Sequence, residues 1–396
     1  METLFQPLSR NDSGFPGLNV TSDSLVRHQH LNLSAFGDMS QQQQSKNRRR
    51  SFGSIISSNS SDSPIQATEA LDTQQLPSNI GVFSKSKIRR DQAPIEDHWN
   101  ITPLDDDMLF AGVFDGHGDG LTNYMNVHFE GVQPGAVAYF AAQNICSTIL
   151  THTTSHNLKD SIILGTQETD RAIAAEPYLK DQGSTAIFSF IGKECISIAN
   201  LGDSRCVIYD QTGAVVFATQ DHTLKNPREP ERVKSEGGVI ENHISDTDDT
   251  LVVPRIGGIL MASRGLGDYG YADHQYYKDL VDDYNVRLNI DDDNEHQINE
   301  YKRMFVGIKL PGISNVPDVT RLARNETHAF MVLGSDGLFD IITNEELGAK
   351  IFHKIVTEGE PAQQAAREIV IEKTKGESPK DDLTAILIDL RTQSTY

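Results

Sequence analysis

Twice in this chain an apolar run is cut off at an Asp-Gly turn. Met108-Leu-Phe-Ala-Gly-Val-Phe114 runs into Asp115-Gly116-His117-Gly118, and the apolar stretch 329–334 leads through Ser335 to Asp336-Gly337. A continuous apolar run of this length, bounded by turn residues, predicts a buried strand whose end carries a carboxylate. A third acidic pair, Asp381-Asp382, stands just before another such run, Leu383–Leu390. Any one Asp-Gly is an ordinary turn. The repetition at strand ends allows several carboxylates to converge at one rim of a sheet.

The remaining periodicity predicts helices over 136–150 and 159–180. Closely spaced strands follow at 185–191, 194–200, 205–209 and 214–218, with a short helix over 227–236 after Pro227. Helices over 344–356 and 361–375 precede the last strand. The strand separators, such as Gly192-Lys193 and Asp210-Gln-Thr-Gly213, are turn sequences, so hairpins are expected. Hairpins interleaved with helix pairs predict an α+β chain of antiparallel sheets covered by helices, not a Rossmann repeat.

Five acidic turns stand out: Glu96-Asp97, Asp115-Gly116, Asp203 in Gly-Asp-Ser-Arg, Asp336 with Asp340, and Asp381-Asp382. Oxygen ligands with no cysteine and a single neighbouring histidine suit Mg²⁺ or Mn²⁺ rather than zinc, and do not distinguish those two. Paired ions of this kind activate water and clamp a phosphoryl group.

Charge locates this chemistry. The formal net charge is −21, from 35 Lys+Arg and 56 Asp+Glu. Residues 1–90 hold 10 basic and 7 acidic residues, leaving 25 and 49 in residues 91–396, a balance of −24. The first part is rich in Ser, Asn and Gln, with Gln41–Gln44 in succession, and 1–80 is expected to be a disordered polar tail. Its basic cluster, Lys46 with Arg48, Arg49 and Arg50 before Ser51, is compatible with a kinase site, a localisation signal or a solvated charge cluster. The acidity argues against a nucleic-acid or anionic-membrane binder. No apolar run approaches the about 18 residues of a membrane span, and no signal peptide is evident. Three cysteines without Cys-x-x-Cys spacing exclude a disulfide framework and fit a reducing compartment, cytoplasmic or nuclear.

In their order, several segments resemble the metal-dependent serine/threonine protein phosphatases of type 2C. They are VFDGHG (113–118), GSTAIFSFI (183–191), ISIANLGDSRCVIY (196–209), DHTLKNPREPERVKSEGGVI (221–240), LMASRGLGD (260–268), PDV (317–319), LGSDGLFDIITNEEL (333–347) and SPKDDLTAILI (378–388). The resemblance implies a four-layer α-β-β-α sandwich of two antiparallel sheets flanked by helices, within a catalytic domain over 81–396. It implies two Mg²⁺ or Mn²⁺ ions: Asp115 bridging them, the Gly116 carbonyl on one, Asp336 and Asp381 on the other, and Glu96 acting through a water. Asp203 and Asp340 fit a third, weaker ion. His117 is implied as the general acid and Asp97 as the group orienting it. The implied partners are phosphoserine/phosphothreonine proteins, met by a monomer.

Three departures accompany the resemblance. The family's phosphate-binding arginine position is Gln92 here, and the role passes to Arg90 across a two-residue insertion. The last motif reads Asp381-Asp382 where Asp-Asn is usual. An insertion at about 269–316, with Asp291, Asp292 and Asp293, is a candidate flap, partner surface or solvated excursion. His222 is expected to make a structural hydrogen bond, and Trp99 and Cys206 to pack. Two rival readings are a pseudophosphatase acting as a partner-binding module and a metal-binding regulatory module without phosphate chemistry. The retained aspartates oppose the first, and His117 opposes the second.

Overall fold

The computed structural model describes residues 76–87, 95–104, 108–118, 134–176, 179, 182–245, 248–269, 309–375 and 379–391. All belong to the unit formed by residues 56–396. The expected tail up to residue 75, Arg90, and Asp291, Asp292 and Asp293 of the insertion lie outside the described residues.

Two five-stranded antiparallel sheets carry the fold. The first has the order β2 (His98–Leu104), β3 (Met108–Phe114), β6 (Ala186–Ile191), β7 (Cys195–Leu201), β13 (Asp318–Ala323). The second has the order β1 (Ile80–Lys85), β15 (Leu383–Asp389), β14 (Phe330–Gly334), β8 (Arg205–Tyr209), β9 (Val215–Ala218). Alternation along the central strands explains why their sequences are largely apolar. In β3, Leu109, Ala111 and Val113 enter the core between the sheets, while Phe110 and Phe114 enter the core under the helices. In β14, Met331 and Leu333 face the other sheet, and Phe330 and Val332 face helices. Both faces of β3 and β14 are covered, so neither shows a polar alternation.

α1 (Ala136–His152) and α2 (Leu158–Ala175) cover the first sheet, burying Ala141, Ile145, Ile149 and Ile162. After the short α4 (Asp336–Phe339), the second sheet is covered by α5 (Asn344–Ile351), which continues as a π turn over Phe352–Thr357, and by α6 (Ala362–Thr374). This is the expected four-layer sandwich. Local signals set the helix starts. Asn157 caps α2 by accepting from Asp160 N at 3.1 Å, and Thr343 caps α5 by accepting from Glu346 N at 3.2 Å. The helix expected over 159–180 stops at Ala175 because Glu176 is extended, as a residue before Pro177 is driven to be.

Further pieces decorate one end. β4 (Gly116–His117), β5 (Gly183–Ser184) and β12 (Leu266–Gly267) form a small sheet. β10 (Ile240–Ser245) and β11 (Asp248–Ile256) form a hairpin over α3 (Glu229–Ser235). Buried Glu229 anchors this region. It accepts from Arg232 Nε (2.9 Å) and Nη2 (2.7 Å), Arg264 Nη2 (2.7 Å) and Ser263 Oγ (2.7 Å). Burial alone would raise its pKa, but these donors hold it down at about 2. Its stabilising effect is therefore complete above the ordinary carboxylate pKa and is lost as pH falls toward 2. Glu229→Gln leaves two arginines without their shared countercharge. A loss of about 3–5 kcal/mol is expected, measured as a lower urea midpoint at neutral pH that converges with the parent near pH 2.

Candidate active site

Strand register gathers the acidic turns. His98 pairs with Phe114, and Gly334 pairs with both Ala385 and Arg205. The start of β2 (Glu96-Asp97), the end of β3 (Asp115), the end of β14 (Asp336), and the starts of β15 (Asp381-Asp382) and β8 (Asp203 just before) therefore share one rim. Ser335 stitches the two sheets there. Its Oγ donates to Asp97 Oδ2 at 2.8 Å and accepts from Thr384 N at 2.9 Å. Gly337 permits the closest approach: a Cβ there would collide with the carbonyl oxygen of Asp382, so the Asp336 and Asp382 turns can pack backbone to backbone only around glycine.

The carboxylates push on one another. Burial raises Asp97 to about 7, against hydrogen bonds from Ser335 and Thr384. Asp115 lies well above its ordinary value, first from burial and then from Asp97, Asp336, Asp203 and Asp381. Asp336 is raised likewise by burial, Asp203, Asp381 and Asp340, and Asp203 is raised to about 6 by burial and Asp221. Asp340 is raised by burial and Asp381. Among the described residues, no three metal-ligating groups stand close enough to form a closed ligand set. The donors nevertheless fit a hard divalent cation. They are all oxygens, they repel one another, and the buried Asp97 Oδ1 meets no hydrogen-bond donor.

His117 is placed by the small sheet. His117 lies opposite Gly183, and Gly183 opposite Gly267. The imidazole Nε2 reaches past Gly183 to Asp268 Oδ1, 2.8 Å away. Burial works against the imidazolium, but Asp268, with Asp203 and Glu96 behind it, more than offsets this and raises the pKa. The partner of His117 is thus Asp268, not Asp97 as the resemblance implied. Asp97 is instead committed to Ser335 and lies against Asp115, because the start of β2 tucks it beneath the rim.

Asp268 holds a left-handed backbone (φ 58°), unusual outside glycine. Hydrogen bonds on both sides fix it: Asp268 N donates to Gln182 O, and Leu310 N donates to Asp268 O, each at 3.0 Å. Below, the buried Asp170 of α2 accepts from Gly267 N (2.8 Å), Tyr269 Oη (2.8 Å), Lys309 Nζ (3.0 Å) and Asn315 Nδ2 (2.7 Å). His222 behaves as expected. It is buried, its Nδ1 accepts from Gly202 N at 3.2 Å, and it steadies the turn that carries Asp203. Cys206 packs in the core between the sheets, and the partly buried Trp99 packs against that core.

The model of the family described as Protein phosphatase 2C matches residues 90–378. The chain belongs to this family. Protein phosphatase 1B from Bos taurus and from Homo sapiens is each 30% identical over 247 residues. That stretch is 61% of this chain and 42% and 43% of theirs, so the chain spans less than half the length of these relatives. A solved serine-threonine phosphatase 2C from Toxoplasma gondii shares the fold, with a TM-score of 0.52 at 20% identity, over 82% of this chain and 96% of that one. A sex-determining protein of C. elegans gives 0.55 at 19% identity, over 79% and 64%.

Membership in the protein phosphatase 2C family accounts for the motifs but did not single out every residue that matters. Asp268, Ser335 and Lys87 carry no local signal of their partners. The Gly-rich turn after Ser263-Arg264 is the one sequence feature that could mark the Asp268 loop.

Two outcomes are expected from this geometry. A Cβ at Gly183 would overlap both His117 Nε2 and Asp268 Oδ1. Gly183→Ala should therefore break the pair, seen by NMR as loss of the protected ring N–H of His117. Asp97 has its folded pKa raised from 3.8 to about 7, so its ionisation opposes folding as pH climbs through that interval. In chelator, the melting temperature should fall between about pH 4 and pH 7, and Asp97→Asn should flatten the fall. A parent protein with a flat profile would refute the assignment.

Proposed function

We propose that this chain hydrolyses phosphoserine and phosphothreonine in proteins, using Mg²⁺ or Mn²⁺ and His117 as general acid. The supporting observation is the His117–Asp268 pair, held at 2.8 Å beside a rim of mutually repelling carboxylates. A phosphate monoester needs charge neutralisation, an in-line water and a proton for the departing oxygen. Asp115 and the Gly116 carbonyl, with Asp336 and Asp381, would hold two ions. Glu96 would act through a water, and Asp203 and Asp340 would take a third, weaker ion. When bound, the ions supply the first two requirements by neutralising phosphoryl charge and lowering the pKa of water.

The protein's own residues supply the third. Asp268 accepts from one ring nitrogen of His117 and keeps the imidazole protonated, and the proton passes to the serine or threonine oxygen as the ester bond breaks. Arg90 is assigned to the phosphate from the sequence. In this reading the catalytic region is 81–396 with the insertion at about 269–316, preceded by the polar tail 1–80. The protein acts as a monomer in the cytoplasm or nucleus, consistent with its three free cysteines. No helix among the described residues is long and apolar enough to cross a membrane.

The test is Mn²⁺-dependent turnover of a phosphothreonine peptide and of an aryl phosphate. Asp115→Asn should abolish both. His117→Ala should slow the peptide about 100-fold or more while sparing the aryl ester, whose leaving group needs no proton. Equal losses on the two substrates would remove His117 from the role.

A further inference from the structure

One cation already sits among these carboxylates. Lys87, just beyond β1, places its Nζ 2.9 Å from Asp381 Oδ1 and 3.4 Å from Glu96 Oε2. Its backbone is fixed as well. Lys87 N donates to Asp382 Oδ1 at 2.8 Å, and Glu96 N donates to Asp382 Oδ2 at 2.7 Å. The single carboxylate of Asp382 therefore grips the chain on both sides of residues 88–95. An asparagine could accept only one of these bonds, because its other terminal atom is a donor. This gives the unusual Asp381-Asp382 sequence a physical reason. Asp382 secures the backbone of Lys87, and Asp381, whose Oδ1 also accepts from Asp382 N at 2.8 Å, receives its ammonium.

We propose that Lys87 is a tethered cation that competes with the divalent ion for Asp381 and Glu96, so that metal uptake displaces its ammonium. The inference rests on the reading of this rim as a metal centre. Asp381 and Glu96 cannot serve an ammonium and a divalent ion through the same oxygens. A single positive charge also leaves most of the rim uncompensated, so the divalent ion is the stronger partner. Exchange is open: the Lys87 side chain is 28% exposed and that of Asp381 49%. A flexible four-carbon stem lets the ammonium return to water without moving the anchored backbone. Lys87 thus sets the threshold concentration at which the site fills and keeps two of its carboxylates paired below that threshold.

The test measures binding rather than turnover. The full-length protein is stripped with chelator and titrated with Mn²⁺ by calorimetry, and its melting temperature is read with and without Mn²⁺. Lys87→Met should bind Mn²⁺ about three- to tenfold more tightly, the range expected on relieving a partly exposed ion pair with two acceptors. Without metal it should melt at a lower temperature than the parent, and its gain on adding Mn²⁺ should be larger. Lys87→Arg should stay close to the parent. Lys85→Met removes the same charge from β1, where the ammonium bonds Thr374 Oγ1 instead, and should leave Mn²⁺ affinity unchanged. Equal or weaker Mn²⁺ binding by Lys87→Met, or equal tightening by Lys85→Met, would overturn the competition. Failure of Mn²⁺ to bind any of these proteins would instead overturn the metal reading itself.

Discussion

Carboxylates crowded at one rim repel each other, and their repulsion is the constraint to which the surrounding structure answers. Asp97, Asp115, Asp203 and Asp336 each have their acidity weakened by burial and by neighbouring carboxylates. Such a cluster would spread apart on a pliable support. Here each carboxylate is tied to the end of a strand whose two faces are buried, one against the opposite sheet and one against helices. The free energy of that apolar burial opposes the electrostatic penalty. Ser335 then ties the two sheets together where the charges meet, and Gly337 lets the Asp336 and Asp382 turns of the second sheet pack closely.

The imidazole is supported in layers. Asp268 holds His117, hydrogen bonds to Gln182 and Leu310 hold Asp268 in its left-handed conformation, and Asp170 holds the flanking loop. Asp170 also binds Lys309 and Asn315, so both ends of the insertion are fastened at the root of the His117 support. Strain in one residue persists because neighbouring groups over-determine it. The Lys87 side chain shows the opposite design. Its backbone is fixed, but its charge is free to leave.

The strands that form the centre of each sheet were legible because double-sided burial leaves a largely apolar signature. β3, β6, β7, β8, β14 and β15 all carry it. The strands that pattern reading passed over lie elsewhere. β2, with Asn100 and Pro103, and β13, with alternating exposed residues, are sheet edges, where one side is free and the periodicity blurs. The hairpin β10–β11 lies outside the two large sheets, and the polar and acidic residues in its strands weaken any apolar pattern. The rim aspartates were readable because each stands next to a strong strand signal. Asp268 and Ser335 were not, since a residue's hydrogen-bond partner 151 or 238 positions away leaves no local trace.

By itself, the sequence determined the α+β class, the family, the rim of carboxylates and the histidine beside them. These follow from local apolar runs and from residue types at short spacing. Tertiary structure alone decided which carboxylate holds His117, why Asp382 is an aspartate, and where the Lys87 ammonium goes. Each is a contact between segments far apart in the chain. Such contacts depend on strand order and register, which bring the start of β2, the end of β14 and the start of β15 within hydrogen-bonding distance.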